Sequence, residues 1–217
     1  MEHHLTQELT FSELDRVSAM LDNYLSELDG DALIMAINTL KYVLANRSPF
    51  KHNPIERVQW VNHDQLFPND YNPNKMAPTE RKLLEVSLRE NGFTQPIVVQ
   101  RSNCGFVIID GYHRYTITAK NKLIKNRTYG YVPIVMLEQD ERVASIAATV
   151  RHNRARGSHQ ISLMSDLVKE LSQLGLTDLD IGKKLGMDAD EVLRLKQITG
   201  LHELFSDVKF SAAWTVK

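Results

Sequence analysis

Apolar residues recur at helical spacing through the first fifth of the chain. Between Thr10 and Asn46 they form two stripes at spacings of three and four residues, which predicts two helices. The segment Asp29-Gly30-Asp31 separates the stripes, and Pro49 ends the second one because proline cannot continue a helix. The pattern predicts a helical hairpin over residues 1–50. We favour simple core packing for its stripes, with packing on the next domain or on a second copy as the alternatives.

The middle of the chain alternates short apolar runs with helical patterns. Runs typical of strands surround Trp60 and occupy 96–99, 106–109 and 132–137, and helices are predicted at 79–91, 115–123 and 140–152. Thr79 is expected to cap the first of these helices, and Gly92 to end it. The proline- and asparagine-rich residues 66–74 predict a loop. The order indicates an α+β domain over residues 53–160 and a helical segment over 161–217.

Composition narrows the class of protein. Of the 217 residues, 42% are hydrophobic and 24% charged, as in ordinary soluble globular proteins. No apolar run approaches the roughly 18 residues that a membrane span requires, and the N-terminus lacks the apolar core of a secretory signal. Cys104 is the only cysteine, which excludes an internal disulfide framework and a cysteine-cluster zinc site. The expectation is a cytoplasmic protein without membrane association.

Positive charge is concentrated in one part of the chain. The net charge is only −1, but the segment Gly111–Ser165 holds nine Lys/Arg and three Asp/Glu. Such a run can be a solvated face or an anion-binding surface. Two basic motifs within it decide which interpretation we prefer.

The first motif joins a buried strand to a helix through a glycine. Asp110-Gly111 follows the apolar run 106–109 and leads at once into Tyr112-His113-Arg114-Tyr115. A helix start directs free N–H groups and the positive end of its dipole at one spot, and Gly111 allows a ligand to approach the backbone. Arg114 offers a planar fork of donors, and His113 donates or accepts near neutral pH. This combination predicts a phosphate site, with an ordinary capped helix that carries an arginine on its surface as the alternative.

The second motif ends the predicted helix at 140–152. It reads Arg151-His152-Asn153-Arg154-Ala155-Arg156-Gly157. Arginines this close repel one another unless an anion lies among them. Taken alone, the motif is better explained by a solvated basic turn or a nucleic-acid contact. His159, just beyond it, is a weaker ligand candidate, whereas the remaining histidines, His63 included, carry no predicted role.

The order of these segments resembles the N-terminal domain of the ParB family, within the ParB/sulfiredoxin superfamily. The matching runs are Asn69–Asn74, Asn91-Gly92-Phe93-Thr94-Gln95-Pro96-Ile97-Val98-Val99, Gly111–Arg114 and His152–Arg156. Together with the helical segment, the resemblance extends from about Asn53 to Asp207. It implies a ParB/sulfiredoxin-like α+β domain that binds a nucleoside triphosphate, CTP or ATP, with Mg²⁺.

The resemblance also implies roles for individual residues. Asn153 is expected to help place the Mg²⁺. The residues expected to line the nucleotide and its phosphates are Gln95, Gly111, His113, Arg114, Asn153, Arg154 and Arg156. Two departures weaken an expectation of hydrolysis. His152 replaces the family's glutamate, a preferred ligand type for Mg²⁺, and Gly-Tyr-His-Arg replaces Gly-Glu-Arg-Arg.

The resemblance to enzymes of the same fold leaves open whether this chain is a catalyst. Tyr112 stands where sulfiredoxins carry the catalytic cysteine, so that chemistry is excluded. The sequence Asp-Gly-x-His-Arg is similar to that of free-serine kinases, which makes Asp110 a candidate catalytic acid or base. A nucleoside triphosphatase or a small-molecule kinase therefore remains an alternative, whereas no carboxylate cluster supports a two-metal nuclease.

The helical segment resembles a helix-turn-helix. One helix is expected to start at Thr177-Asp178, Gly186 forms the turn, and Asp188 caps the second helix. The second helix normally meets DNA with its first residues, but here these include Asp190 and Glu191, which repel phosphates. We therefore predict weak, sequence-indifferent DNA binding by this chain alone.

The runs Val150–His159 and Gly186–Lys196 are similar to those of IbrB-type coactivators of prophage genes. That resemblance implies a nucleotide-binding transcriptional coactivator, acting with DNA or with a partner similar to phosphoadenosine-phosphosulfate reductases, and a homodimer is a further option.

Overall fold

A computed structural model describes residues 2–69, 76–137, 142–154 and 161–205. The chain divides into two compact units, Met1–Val61 and Asn62–Lys217. None of the described helices combines the length and the apolar character needed to cross a membrane.

The first unit contains the predicted helical hairpin. Helix α1 spans Glu2–Ser26 and helix α2 spans Gly30–Arg47, with the break close to the predicted position. The apolar stripes are open only in part. The exposed members are Leu14, Val17 and Leu44, at 59%, 52% and 68%, whereas the half-buried members are Leu21, Leu25, Leu28, Leu33, Ile34, Ile37 and Leu40. Within the described side chains of the two helices, only Ala45 is buried. Simple core packing therefore accounts for part of each stripe and does not account for its exposed members.

Five strands form one mixed sheet in the order β1-β5-β3-β4-β2. They are β1 (Gln59–Asn62), β2 (Leu66–Phe67), β3 (Ile97–Ser102), β4 (Gly105–Asp110) and β5 (Tyr131–Leu137). Strand β3 runs antiparallel to β4 and parallel to β5, and β2 runs parallel to β4. The sequence pattern missed β2 because its two residues lie at the start of the predicted loop. Leu66 pairs with Phe106 and is buried, which only the tertiary contact decides.

Four helices accompany the strands: α3 (Pro78–Asn91), α4 (Tyr112–Lys120), α5 (Lys122–Arg127) and α6 (Arg142–Arg154). The predicted cap at Thr79 is wrong. The N-cap is Ala77, whose N–H donates to the Glu80 carboxylate at 3.3 Å, and Pro78 sets the first turn.

The predicted helix at 115–123 is also wrong in its bounds. Helix α4 starts directly after Gly111 and ends at Lys120. The side-chain oxygen of Asn121 accepts the N–H groups of Leu123 and Ile124, and it thereby starts a separate helix.

The C-terminal helices are α7 (Ile161–Gln173), α8 (Asp178–Leu185) and α9 (Ala189–Phe205). Their predicted signals are confirmed, because Thr177 and Asp188 cap the last two helices and Gly186 is left-handed with φ +69°. A shared core joins them to α6, as Ile146 and Val150 pack with buried residues of α7–α9. The fold is thus the predicted α+β domain with a helix-turn-helix segment.

Candidate functional site

The link between β4 and α4 is a tightly packed glycine turn. Gly111 has φ +93°, and its N–H donates to Oδ1 of Asp110 at 2.7 Å. A Cβ added there would lie 2.9 Å from Nη2 of Arg114 and 3.3 Å from Cα of Ile97. Because glycine has no side chain, no N-cap oxygen covers the first N–H groups of α4. The positive end of the helix therefore starts without a side-chain cap.

Arg114 joins the start of α4 to the start of β3. Its Nη1 donates to Oε1 of Gln95 at 2.9 Å, and its Nη2 donates to the carbonyl oxygen of Pro96 at 3.2 Å. Nη2 also lies 3.7 Å from Oδ2 of Asp110, and both of these side chains are mostly buried. The structure thus brings Gln95, Asp110, Gly111 and Arg114 together. In this arrangement the guanidinium already holds the turn in place.

His113 lies beside this turn and has an unsatisfied ring nitrogen. Its Nε2 is buried and has no hydrogen-bond partner within the described part of the chain. Burial lowers the pKa of His113, the positive charges of Arg81 and Arg114 lower it further, and Asp110 and Glu80 oppose them. The imidazole is therefore neutral at pH 7, so one ring nitrogen donates and the other accepts. A ligand at the turn can take the place of the missing partner.

Asn69 presents a second unsatisfied polar atom. Its Nδ2 donates to the carbonyl oxygen of Ile108 at 2.8 Å, whereas its buried Oδ1 has no partner among the described residues. The rest of the predicted asparagine-proline segment, residues 70–75, lies outside the described residues. Asn69 therefore ties the start of that segment to strand β4, two residues before Asp110.

An aromatic cluster supports the first turns of α4. The ring of His63 stacks on Tyr115 with centroids 4.1 Å apart, and the Tyr115 hydroxyl donates to the carbonyl oxygen of Leu66 at 3.2 Å. Burial raises the pKa of Tyr115, as do the nearby Asp64 and Tyr112. Sequence reasoning gave His63 no role, because its partner lies 52 positions away. The cluster fixes α4 against the segment that leads into β2.

The structure describes only part of the second basic motif. Arg151 donates from Nη1 to the carbonyl oxygen of Lys184 at 2.6 Å, so it fastens α6 to the last turn of α8. Asn153 and Arg154 belong to the last turn of α6, but their side chains lie outside the described part. Arg156 and His159 lie outside the described residues altogether. Their nucleotide roles, and that of Asn153 toward Mg²⁺, stay predictions.

The described residues do not by themselves form a magnesium site. Within the described ranges, no three His, Cys, Asp or Glu side chains are grouped to hold a metal ion. The carboxylate nearest to the turn is that of Asp110, which accepts from Gly111 and faces Arg114. A hard cation needs several oxygen ligands, and these residues supply one carboxylate that protein groups already contact.

Comparison with known proteins agrees with this architecture. The family model described as the ParB N-terminal domain matches residues 49–149, and the model described as the IbrB-like C-terminal helix-turn-helix domain matches 159–207. The chain belongs to the ParB-like proteins that carry an IbrB-like C-terminal domain. It is similar to the uncharacterized protein YbdM of Escherichia coli K12, with 50% identity over all of this chain and 98% of YbdM.

Solved structures with a similar fold are more distant in sequence. A C-terminally truncated ParB from Caulobacter crescentus, complexed with CTP-γ-S, is 20% identical with a TM-score of 0.38, covering 68% of this chain and 83% of that one. A Pnob8-like ParB N-domain is 18% identical with a TM-score of 0.49, covering 69% and 73% of the two chains.

Proposed function

We propose that this chain is a nucleotide-binding regulatory protein that acts in transcription through DNA or a partner. CTP is the nucleotide that the ParB resemblance implies, with ATP as the alternative. The IbrB-like C-terminal domain supports a role in gene regulation. The finer role of a coactivator of prophage genes, together with a partner similar to phosphoadenosine-phosphosulfate reductases, is part of this proposal and rests on the IbrB resemblance alone.

One observation carries the nucleotide part of the proposal. The buried Nε2 of His113 has no partner in the described part of the chain, and His113 is the second residue of a helix whose start no side chain caps. An unsatisfied buried polar group costs roughly 1–3 kcal/mol. A phosphate oxygen at the start of α4 would satisfy this nitrogen and face the positive end of the helix dipole.

Some residues of the turn would contact the phosphates, and others hold the turn in position. The N–H groups at the start of α4 and the His113 ring are the groups that would contact the phosphates. Arg114 and Gln95 position the turn through their mutual hydrogen bond, and Arg114 adds positive charge behind it. Arg154 and Arg156 would complete the phosphate site from the end of α6, as the ParB resemblance implies.

Calorimetric titration of the full chain with CTP, ATP and GTP, with and without Mg²⁺, tests this proposal. We expect at least one nucleotide to bind with a Kd below about 1 mM. His113→Ala should weaken binding by about tenfold to a hundredfold, because a hydrogen bond to a charged group contributes roughly 1.5–3 kcal/mol.

His52→Ala is the matched control, since His52 is exposed and lies in the other unit. No measurable binding by any nucleotide, or equal effects of the two histidine variants, would refute the proposal. The same samples with free serine test the kinase alternative. Phosphoserine formation that disappears in Asp110→Asn would assign catalysis to this site instead.

A further inference from the structure

A cavity of about 310 Å³ lies between helices α3, α4 and α5. Arg81 and Glu85 line it from α3, Lys120 lines it from the end of α4, and Asn121 and Lys122 line it from the start of α5. The three cations are exposed to solvent. Neither basic motif of the sequence includes any of these residues.

The polar groups of the cavity leave an excess of positive charge. The Asn121 side-chain NH₂ donates to Glu85 at 2.7 Å, and the Asn121 oxygen caps α5, so these two side chains satisfy each other. Among the residues that the structure describes, none of the three cations belongs to an ion pair. Three cations and the Glu85 carboxylate give the lining a net charge of +2, and an anion between the cations would relieve their mutual repulsion.

The two lysines lie at a distance from the proposed nucleotide site. His113, Ile117 and Lys120 occupy successive turns on one face of α4. At 1.5 Å per residue, Lys120 lies roughly 10 Å along the helix from His113. A ligand at these lysines and a nucleotide at Gly111 therefore need not compete.

The charge pattern around the cavity fits a long polyanion better than a small one. The stretch Gly111–Leu137 contains five Lys/Arg and no Asp/Glu. Exposed lysines contribute little free energy to the binding of a single small anion in water. They contribute more to the binding of DNA, because binding releases its condensed counterions. The start of α9 carries Asp190 and Glu191, so its first turn offers no cation for the phosphate contacts of a DNA complex.

We propose that Lys120 and Lys122, which line this cavity, bind backbone phosphates of duplex DNA, independently of nucleotide at the Gly111 turn. This contact carries no base sequence information, because phosphates are the same at every base pair. It supplies the positive surface that the acidic start of α9 lacks. DNA held in this way would let the helix-turn-helix segment or a partner add sequence preference.

Fluorescence anisotropy of the full chain with a labelled duplex of arbitrary sequence, over a KCl series, tests the inference. Each lost phosphate contact reduces the magnitude of the negative slope of log K against log [salt] by about 0.9. Lys120→Gln with Lys122→Gln should therefore make this slope shallower by about 2 and weaken binding at low salt roughly tenfold, for any sequence. CTP affinity should remain that of the unchanged protein.

The matched control is Lys82→Gln with Lys125→Gln, which removes the same charge from exposed positions of α3 and α5 outside the cavity. An equal loss in this control would overturn the inference in favour of a diffuse field. A parallel loss of CTP affinity in the cavity variant would place the lysines in the nucleotide site and also overturn it.

A last comparison separates DNA from small anions. Inorganic phosphate that replaces chloride at equal ionic strength should displace DNA no more than KCl does. Stronger displacement, absent from the cavity variant, would make the cavity a small-phosphate site and refute the DNA assignment. If no nucleotide binds at all, the proposed function fails, while the salt slopes still decide whether the cavity contacts DNA.

Discussion

Gly111 occupies a position where the backbone angle and the packing both exclude a side chain. Its φ of +93° is left-handed, which costs other residues roughly 1–2 kcal/mol. A Cβ would in addition meet the Arg114 guanidinium and the backbone of Ile97. The same residue therefore shapes the turn, leaves the helix start uncovered and sets the place of Arg114.

We expect Gly111→Ala to lower the free energy of unfolding by about 2–3 kcal/mol, from backbone strain and overpacking together. Urea denaturation followed by circular dichroism measures this change. Gly175→Ala is the control, because Gly175 has φ +90° but no neighbour within 4 Å of an added Cβ. The free energy of unfolding of Gly175→Ala should fall by only about 1 kcal/mol. Equal losses in the two variants would show that packing around Gly111 contributes nothing.

His113 gives the proposed nucleotide site a defined pH dependence. Burial first, then the charges of Arg81 and Arg114, hold the pKa of His113 below its ordinary value of 6.5 in the free protein. A phosphate beside the ring favours the protonated form and raises that pKa. Binding should then take up a proton in the pH window between the lowered pKa of the free protein and the raised pKa of the complex.

Affinity for CTP should accordingly increase as the pH falls from about 8 to about 6. His113→Gln keeps polar groups but cannot be protonated, so it should retain only the dependence that comes from the nucleotide's own phosphates. Calorimetry in buffers of different ionisation enthalpy measures the proton uptake directly. If CTP affinity depends on pH in the same way in the unchanged protein and in His113→Gln, contact between His113 and the phosphates is excluded.

Among the elements, α9 owes its start to one side chain. The carboxylate of Asp188 accepts the N–H of Glu191 at 2.7 Å, and the turn before it is closed by the Met187 N–H donating to the carbonyl oxygen of Gly182 at 2.9 Å. A Cβ on Gly182 would lie 2.7 Å from the Met187 carbonyl oxygen. The turn of the helix-turn-helix segment is thus fixed by a cap on one side and a close approach on the other.

Asp188→Ala should lower the free energy of unfolding by about 1 kcal/mol, the usual contribution of an N-cap. Asp190→Ala removes the same charge two residues later without removing the cap, so its effect should stay within about 0.5 kcal/mol. Thermal and urea unfolding of the two variants measure the difference. A loss from Asp190→Ala as large as that from Asp188→Ala would show that charge near the helix start, not the cap, decides its stability.

Local signals predicted some element boundaries and missed others for identifiable reasons. Gly92 and Gly186 ended their helices as expected, because a left-handed glycine is a strong local stop. The break at Asn121 went unpredicted, although asparagine is a common N-cap, because the apolar pattern continues across it. Strand β2 was not predicted because two residues are too few to show the alternation of apolar and polar positions that marks a strand.

At the scale of the whole molecule, the hairpin unit leaves an apolar surface open. Leu14, Val17 and Met20 lie at successive turns of α1 and are each more than half exposed. Burying side chains of this size contributes roughly 1.5–3 kcal/mol each, and monomeric proteins rarely leave such stripes open. These observations favour the second copy over simple core packing among the predicted uses of the hairpin.

We therefore expect the full chain to form a homodimer through α1, with twice the mass of one chain in multi-angle light scattering. Val17→Glu with Met20→Glu should yield single chains, because two buried carboxylates would be strongly unfavourable. Leu83→Glu with Leu179→Glu is the control, since these leucines are also exposed but lie in the other unit. Single chains in the unchanged protein, or dimers in the α1 variant, would contradict the prediction.

The sequence by itself determined the features that depend on short stretches of chain. The α+β alternation, the hairpin, the glycine turn after β4 and the caps at Thr177 and Asp188 follow from local periodicity, backbone preference and capping chemistry. The motif around Gly111 also marked the place where polar and charged groups meet, because a strand that ends in glycine before a helix has few other arrangements.

Only the tertiary structure decided how those groups are used. Arg114 donates to Gln95, 19 positions away, and Arg151 donates to Lys184, 33 positions away, so both arginines fasten elements together. The stacking of His63 on Tyr115 and the cavity of Arg81, Lys120 and Lys122 likewise join distant segments. No local pattern encodes such contacts, because they depend on which helix faces cover which strands once the chain has folded.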